Sequence, residues 1–370
     1  MTETTIANGF AAVGDIMLGD SSVSVGFGVH STYPRNADAA FAHVRDRLRR
    51  HEIVVGNLEC PLTRTGIGVN RFRADQMRGD PEYADDLRGA GFTALSVANN
   101  HALQHGRDAF DHTVASLAAA GIASVGLAGD DGWCAKPVVQ VTRAGRRIGI
   151  LGYSWRPQQY GTGAPPYATG SVDDVVRDVA RLAPATDDVV VSLHWGEEFV
   201  AQPSSEEVAN ARRIIDAGAR ILVGHHPHVR RAVERYNDGL ICYSLGNFVT
   251  DMTWQPALRE GLMMSCQLDG GAPRAVTVAR TRVGARYAPE IVDEISTVPA
   301  ASVAALDPGA YRVAVRQTVR RQQVASYRHA ARNALRFPFL VLVTLLASTV
   351  RNKLTALSAL VRPSSLRQRG

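Results

Sequence analysis

The stretch Ile221 to His228, reading ILVGHHPH, ends an apolar run in three imidazoles, His225, His226 and His228, within four residues. An apolar run bounded in this way predicts a buried strand. His226 and His228, with Pro227 between them, cannot both enter a core once the strand has ended. They converge more naturally on a shared partner at its edge. Neutral imidazole is a common ligand for zinc, iron and manganese, which makes a metal ion one such partner. A turn with incidental histidines is the other reading of this stretch alone.

Other apolar runs end the same way. The first, Phe10 to Val13, breaks into GDIMLGD and leaves Asp15 just past its end. EIVVGNLECPLT leads to Asn57 and Glu59, and TALSVANNHALQHG delivers Asn99, Asn100 and His101 together. DDVVVSLHWGEEF terminates at His194, and GLICYSLGNF at Asn247. Adjacent asparagines and a histidine are expensive to bury without partners, so a site accounts for them better than a core does.

The elements that must position these residues alternate. Helices are predicted from about Asn36 to Arg50, Pro81 to Ala90, Arg107 to Ala120 and Val172 to Leu182. Another follows in SSEEVANARRIIDAGA, where Ser204 or Ser205 caps with Glu207. Scaffold strands are predicted near 122–125, 137–142 and 147–153, with closing strands in 261–283. The Pro-, Gly- and Tyr-rich stretch 156–170 reads as a loop framing a pocket. Strands alternating with helices imply an α/β fold, whose ligand sites lie beyond the carboxyl ends of the strands. Asp15, Glu59, Asn100, His194, His226 and His228 all fall at such ends.

Length and composition narrow the class. A chain of 370 residues is long enough for one large α/β domain and an appendage. Its four cysteines are scattered without a CxxC pair, which suggests neither a zinc ribbon nor a disulfide framework and fits a reducing compartment. The net charge of +6 is unevenly spread: from Gly309 onward there are twelve Lys or Arg and no acid, while the first 308 residues carry 29 basic and 35 acidic side chains. A mildly acidic body argues against a nucleic-acid surface on it. The N-terminus, MTETTIANGF, lacks a basic segment followed by an apolar one, so no signal peptide is expected and a cytoplasmic location is.

The ordered series GDIMLG, VVGNLECPLT, FRA, LSVANNHALQHG, VSLHWGEEF, GHHPHV and YSLGNF resembles the CapA family, the poly-γ-glutamate capsule-synthesis proteins of the calcineurin-like metallophosphoesterase superfamily. The likeness runs from residue 10 to about residue 270. It implies a four-layer α-β-β-α sandwich and two divalent ions, Mn, Fe or Zn, which ligand type alone cannot distinguish. By motif, Asp15 and His228 would hold the first ion, Glu59 would bridge, and Asn100, His194 and His226 would hold the second. His101, beside Asn99 and Asn100, would be the acid that helps a leaving group depart. The implied activity is hydrolysis of a phosphoester, or of a γ-glutamyl or related amide, on an anionic small molecule or polymer. A scaffold that keeps the fold with a weak centre is the alternative.

Two departures bear on this. Met17 stands where the wider superfamily has a histidine two residues after its aspartate, as it does in the CapA subfamily. Gln104 and His105 occupy the stretch after Asn-Asn-His in which relatives carry an acid.

Residues 1–300 are thus expected to form the metallophosphoesterase-like domain and 309–370 a basic, apolar helical tail. Arg312, Arg316 and Arg320 recur every four residues, on one side of a helix. Phe337 to Val350 is an uncharged run of fourteen residues, about 21 Å as a helix and short of the roughly 30 Å hydrocarbon core. The expectation is peripheral or tail-anchored attachment to an anionic membrane face, against packing on the body or an oligomer contact.

Arg73 in the FRA segment offers a bidentate fork for a phosphate or carboxylate. Arg73→Ala should raise KM for an anionic substrate about tenfold with kcat little changed. An unaltered KM would return Arg73 to the solvated surface.

Overall fold

The structure, a computed structural model, describes residues 5–64, 66, 74–156, 158–295, 303–339 and 341–343. Fourteen described strands form two sheets. The first contains β1 (Ile6–Ile16), β2 (His51–Leu58), β3 (Ala94–Ser96), β4 (Ala123–Val125), β11 (Asn247–Val249), β12 (Glu260–Gln267), β13 (Arg274–Val283) and β14 (Pro289–Ile295). Its order is β14-β13-β12-β1-β2-β3-β4, with β11 beside the end of β1. The second contains β5 (Val138–Val141), β6 (Arg147–Ser154), β7 (Asp188–His194), β8 (Ile221–His225), β9 (Val233–Tyr236) and β10 (Gly239–Cys242), in the order β5-β6-β7-β8-β10-β9.

The period of two along each strand sorts residues between layers. Phe10, Ala12, Ile53 and Val55 face the other sheet and share a core with Ile150, Val190, Ile221 and Val223. Their neighbours Ala11, Val13 and Val54 turn outward to Leu87 of α1 (Tyr83–Ala90) and Phe110 and Leu117 of α2 (Gly106–Ala119). On the far side, Val189, Val191 and Leu222 pack on Val175 and Val179 of α3 (Val172–Leu182) and Ile214 of α4 (Ser205–Asp216). Helix, sheet, sheet, helix is the four-layer sandwich expected above. Both faces of β7 are covered, which is why DVVVSLH is buried throughout.

Register aligns the chemistry. Asp15 pairs with Asn57 on one side and Asn247 on the other, and His194 pairs with His225. The polar ends of both sheets therefore lie along one edge.

The capping expectation resolves to Ser204, which accepts from the Glu207 N–H while Glu207 accepts from the Ser204 N–H. The continuous helix expected from Asn36 to Arg50 is instead a 3-10 turn, Asp38–Phe41, and a short helix, Arg45–Arg49. There the Arg45 guanidinium donates to the Asp38 carbonyl at 2.8 Å, and Asp86 claims the Ala37 N–H at 2.6 Å.

After the sheets, α5 (Pro308–Arg332) starts at Asp307, whose carboxylate accepts from the N–H groups of Gly309 and Ala310. It runs across loops that leave the carboxyl ends of strands in both sheets. Tyr311 Oη lies 3.2 Å from the Glu197 nitrogen and 3.4 Å from Arg231 Nη2. Trp254 Nε1 donates to Gln322 Oε1 at 2.9 Å. Beyond the helix, Phe337 and Val341 bury against Val25 and Phe27. No described helix is long and apolar enough to cross a membrane, and most of the Phe337–Val350 run lies outside the described residues.

Arg231 pins this edge. Its guanidinium is buried and donates to Glu207 Oε1 at 2.7 Å and to the Val200 carbonyl at 2.8 Å. Removing one partner of a buried pair strands the other. Arg231→Met should cost about 3 kcal/mol in urea unfolding, against about 1 kcal/mol for the cap variant Ser204→Ala. Equal midpoints would refute the distinction.

Candidate metal centre

Asp15 closes β1 and is fully buried. Asn57 Nδ2 donates to its Oδ1 at 2.9 Å and the His226 N–H to its Oδ2 at 3.2 Å. His225 Nδ1 and His228 Nδ1 each lie 3.3 Å from its oxygens. Glu59, one residue past β2, is 3.5 Å from His194 Nε2 and 3.8 Å from His228 Nε2. Asn100 Oδ1 lies 2.8 Å from His194 Nε2, and the His194 and His226 rings are 4.7 Å apart. The structure thus gathers Asp15, Glu59, Asn100, His194, His226 and His228 into one buried cluster.

The local backbone is strained to do this. His226 has φ +92° and His228 φ +57°, in the left-handed region that favours glycine. Each such residue costs on the order of 1 kcal/mol or more, and the arrangement persists because both rings are thereby turned back over the strand end.

Charge is unequally distributed. Burial alone would raise the Asp15 carboxyl, but hydrogen bonds and charges from His225 and His228 outweigh it and hold it well below the usual range. Burial, aided by the Asp15 charge, pushes Glu59 well above. Burial keeps His194 and His226 neutral. For His228 burial is outweighed by the carboxylates of Glu59 and Asp15, which lift it to about 10. Glu59 and His228 are thus both biased toward their protonated forms.

Both ring nitrogens of His226, Glu59 Oε1 and Asn100 Nδ2 are buried without a hydrogen bond. Orphaned polar atoms at this density are expensive, and lone pairs on imidazole and carboxylate are what a divalent cation uses. Two overlapping sets could hold ions: Glu59, His194 and His226, and Asp15, Glu59 and His228, with the ligand atoms of each within 4.8 Å of one another. The residues therefore fit divalent metal.

The remaining expected residues lie around this cluster. Asn99 is fully buried behind it, donating to the Leu58 carbonyl at 2.8 Å and accepting from the His101 N–H at 3.2 Å. His101 is half-buried, with Nδ1 2.6 Å from Gln104 Oε1, and burial lowers it to about 4 despite that bond. Gln104 thus occupies the supporting position, whereas His105 is turned away and bonds the Gln76 carbonyl at 2.7 Å. Arg73 lies outside the described residues.

Sequence reasoning left two contributors, His225 and Asn57, without a role. His225 ends β8 beside Asp15, and Asn57 joins Asp15, Glu59 and His194. Glu198 forms a third possible metal set with His226 and His228, while its neighbour Glu197 pairs with Arg156 at 2.8 Å. The doubled histidine and the Gly-Asn before Leu-Glu were the available signals.

Residues 9–252 match the family described as bacterial capsule synthesis protein PGA_cap. The capsule biosynthesis protein CapA of Bacillus anthracis is 32% identical over 272 residues, covering 70% of this chain and 64% of that one. The PGA biosynthesis protein CapA of Bacillus subtilis is 32% identical over 248 residues, 65% of this chain and 63% of that one. The chain thus spans a little under two thirds of the length of these relatives. Among solved structures, a 5'-nucleotidase from Candida albicans aligns with a TM-score of 0.43 at 12% identity, covering 90% of this chain and 58% of that one. On the extent of the family match, and on its likeness to both CapA proteins, the chain belongs to the PGA_cap family of bacterial capsule synthesis proteins.

Proposed function

We propose that this chain is a metal-dependent hydrolase acting on an anionic phosphoester, or on a γ-glutamyl or related amide, during formation of a capsule-type polymer. The observation that carries the reading is the set of buried, unbonded lone pairs at His226 and Glu59 within reach of His194, Asp15 and His228. Asp15, Glu59 and His228 would hold one divalent ion, and Glu59, Asn100, His194 and His226 the other. When bound, such a pair lowers the pKa of water and stabilises negative charge that develops on oxygen.

The chain's own residues set the rest. Asn57 holds the Asp15 carboxylate from behind and is itself held by Asn99, which donates to its Oδ1 at 3.2 Å, so little reorganisation is needed. The short bond to Gln104 assigns the His101 proton to Nδ1, leaving Nε2 to accept one. An anionic substrate nearby raises its proton affinity, and the proton gained at Nε2 is the one it passes to a leaving group. A non-catalytic, weakly metal-binding scaffold is favoured by Met17, a buried thioether two residues past Asp15.

Metal content and turnover separate these readings when aryl phosphates and γ-glutamyl peptides are offered with manganese. His226→Ala and Asn100→Ala should each lose bound metal and turnover together. His101→Ala should keep its metal and lose about a hundredfold or more in kcat. Low metal occupancy with no hydrolysis of any substrate in the parent chain would favour the scaffold.

Binding should also depend on pH. Because Glu59 and His228 are both raised, cation binding must displace protons from them, and affinity falls as the solution is acidified. Calorimetric titration in two buffers of different ionisation enthalpy should give different heats. Identical heats would contradict this account.

A further inference from the structure

The outward side of α5 is unlike the rest of the surface. Most of the large apolar side chains that are exposed lie on α5 or just after it, among them Val313, Val324, Tyr327, Leu335, Phe339 and Val343. Leu335 is 99% exposed, Phe339 77% and Tyr327 70%, which is far more than packing on this body requires. At 100° per residue, Val313, Val324 and Tyr327 share one side of α5 with Arg316 and Arg320, opposite Tyr311, Gln322 and His329, which hold the body. Leu335, Phe339 and Val343 follow at steps of four.

Among the described residues most arginines of α5 have no carboxylate at ion-pair distance. Arg312, Arg316, Arg320, Arg321, Arg328 and Arg332 form no ion pair with a described carboxylate, and no acid occurs anywhere after Asp307. The whole feature lies beyond the residues matched to the family.

We propose that α5, with Leu335, Phe339 and Val343 beyond it, is an interfacial arm that docks this protein on an anionic lipid surface. Arginine interleaved with large apolar side chains, on a helix whose other face is already buried, is the pattern of an element lying in a headgroup layer. A soluble polyanion would need the arginines but would leave Leu335 and Phe339 in water. Because α5 rests on loops 197–201, 229–232 and 254–257, which leave the same edge that carries the histidine cluster, docking turns that edge toward the lipid. A cavity of about 600 Å³ lies between α5 and these loops. Phe199, whose ring lies 5.9 Å from His228, and Thr318 and Arg321 of α5 line it.

The full chain is sedimented with vesicles of phosphatidylcholine alone or mixed with phosphatidylglycerol. Binding is expected only to the mixed vesicles. The double variants Arg316→Glu with Arg320→Glu, and Leu335→Glu with Phe339→Glu, should each weaken it about tenfold or more, with unfolding temperatures at the parent's value. Failure of the parent chain to bind mixed vesicles overturns the proposal. So does an apolar double variant that binds like the parent, since that is the behaviour of a polyanion site. For orientation, an environment-sensitive dye attached through Ala201→Cys, in a Cys134→Ser background, should shift on binding. A dye attached through Ala144→Cys, in the turn at the opposite edge, should not; the reverse pattern refutes the stated geometry.

Discussion

One buried carboxylate joins the two halves of this molecule. Asp15 ends a central strand of the first sheet and accepts from the backbone of His226, which leaves the second. With Asn57, His225 and His228 also turned toward it, three strand ends are fixed relative to one another by a single group. A carboxylate is suited to this because two oxygens accept from several donors at once, and the surrounding imidazoles keep it ionised despite burial. The parallel register that brings Asp15 level with Asn57, and His194 level with His225, leaves these groups little choice of neighbour.

Much of this was legible before any coordinates. Apolar runs ending in Asp, Asn, Glu or His mark both the strand and its carboxyl end, so the residues of the cluster could be named from position alone. The helix at Ser204 was readable because a serine and a glutamate three residues apart satisfy each other's backbone. What could not be read depends on orientation. His225, His226 and His228 are equivalent as letters, and only the positive φ at two of them decides which rings turn where. Asn57 looked like one more polar strand end until its amide was seen to touch three neighbours. The hairpin of β9 and β10 carried its own turn signal in Asn-Asp-Gly, yet ERY before it does not alternate clearly enough to announce an edge strand. Packing of α5 on the body stood only as an alternative in the sequence, since the face that makes the contacts carries Tyr311, Gln322 and His329 rather than an apolar stripe.

The cluster is built for exchange of charge rather than for stability. Neutral imidazoles at His194 and His226 beside one ionised carboxylate make a shell that is costly to bury by itself. Its supports are correspondingly firm: the backing amides of Asn57 and Asn99 are fully buried, and the edge is held by Arg231.

The long reach of the Asp15 contact also has a consequence for the order of events. Its partner His226 lies 211 residues away, and β1 is flanked by β2 and by β12, whose last residue is Gln267. A ribosome must therefore deliver most of the chain before the central strand has both neighbours, and closing so large a loop is a slow step. Throughout synthesis the residues of the cluster are scattered along an unfinished polypeptide. The cluster comes into being only when the sheets close, so its assembly marks completion of folding. Lesions in β12 would therefore disperse the cluster without touching any of its residues.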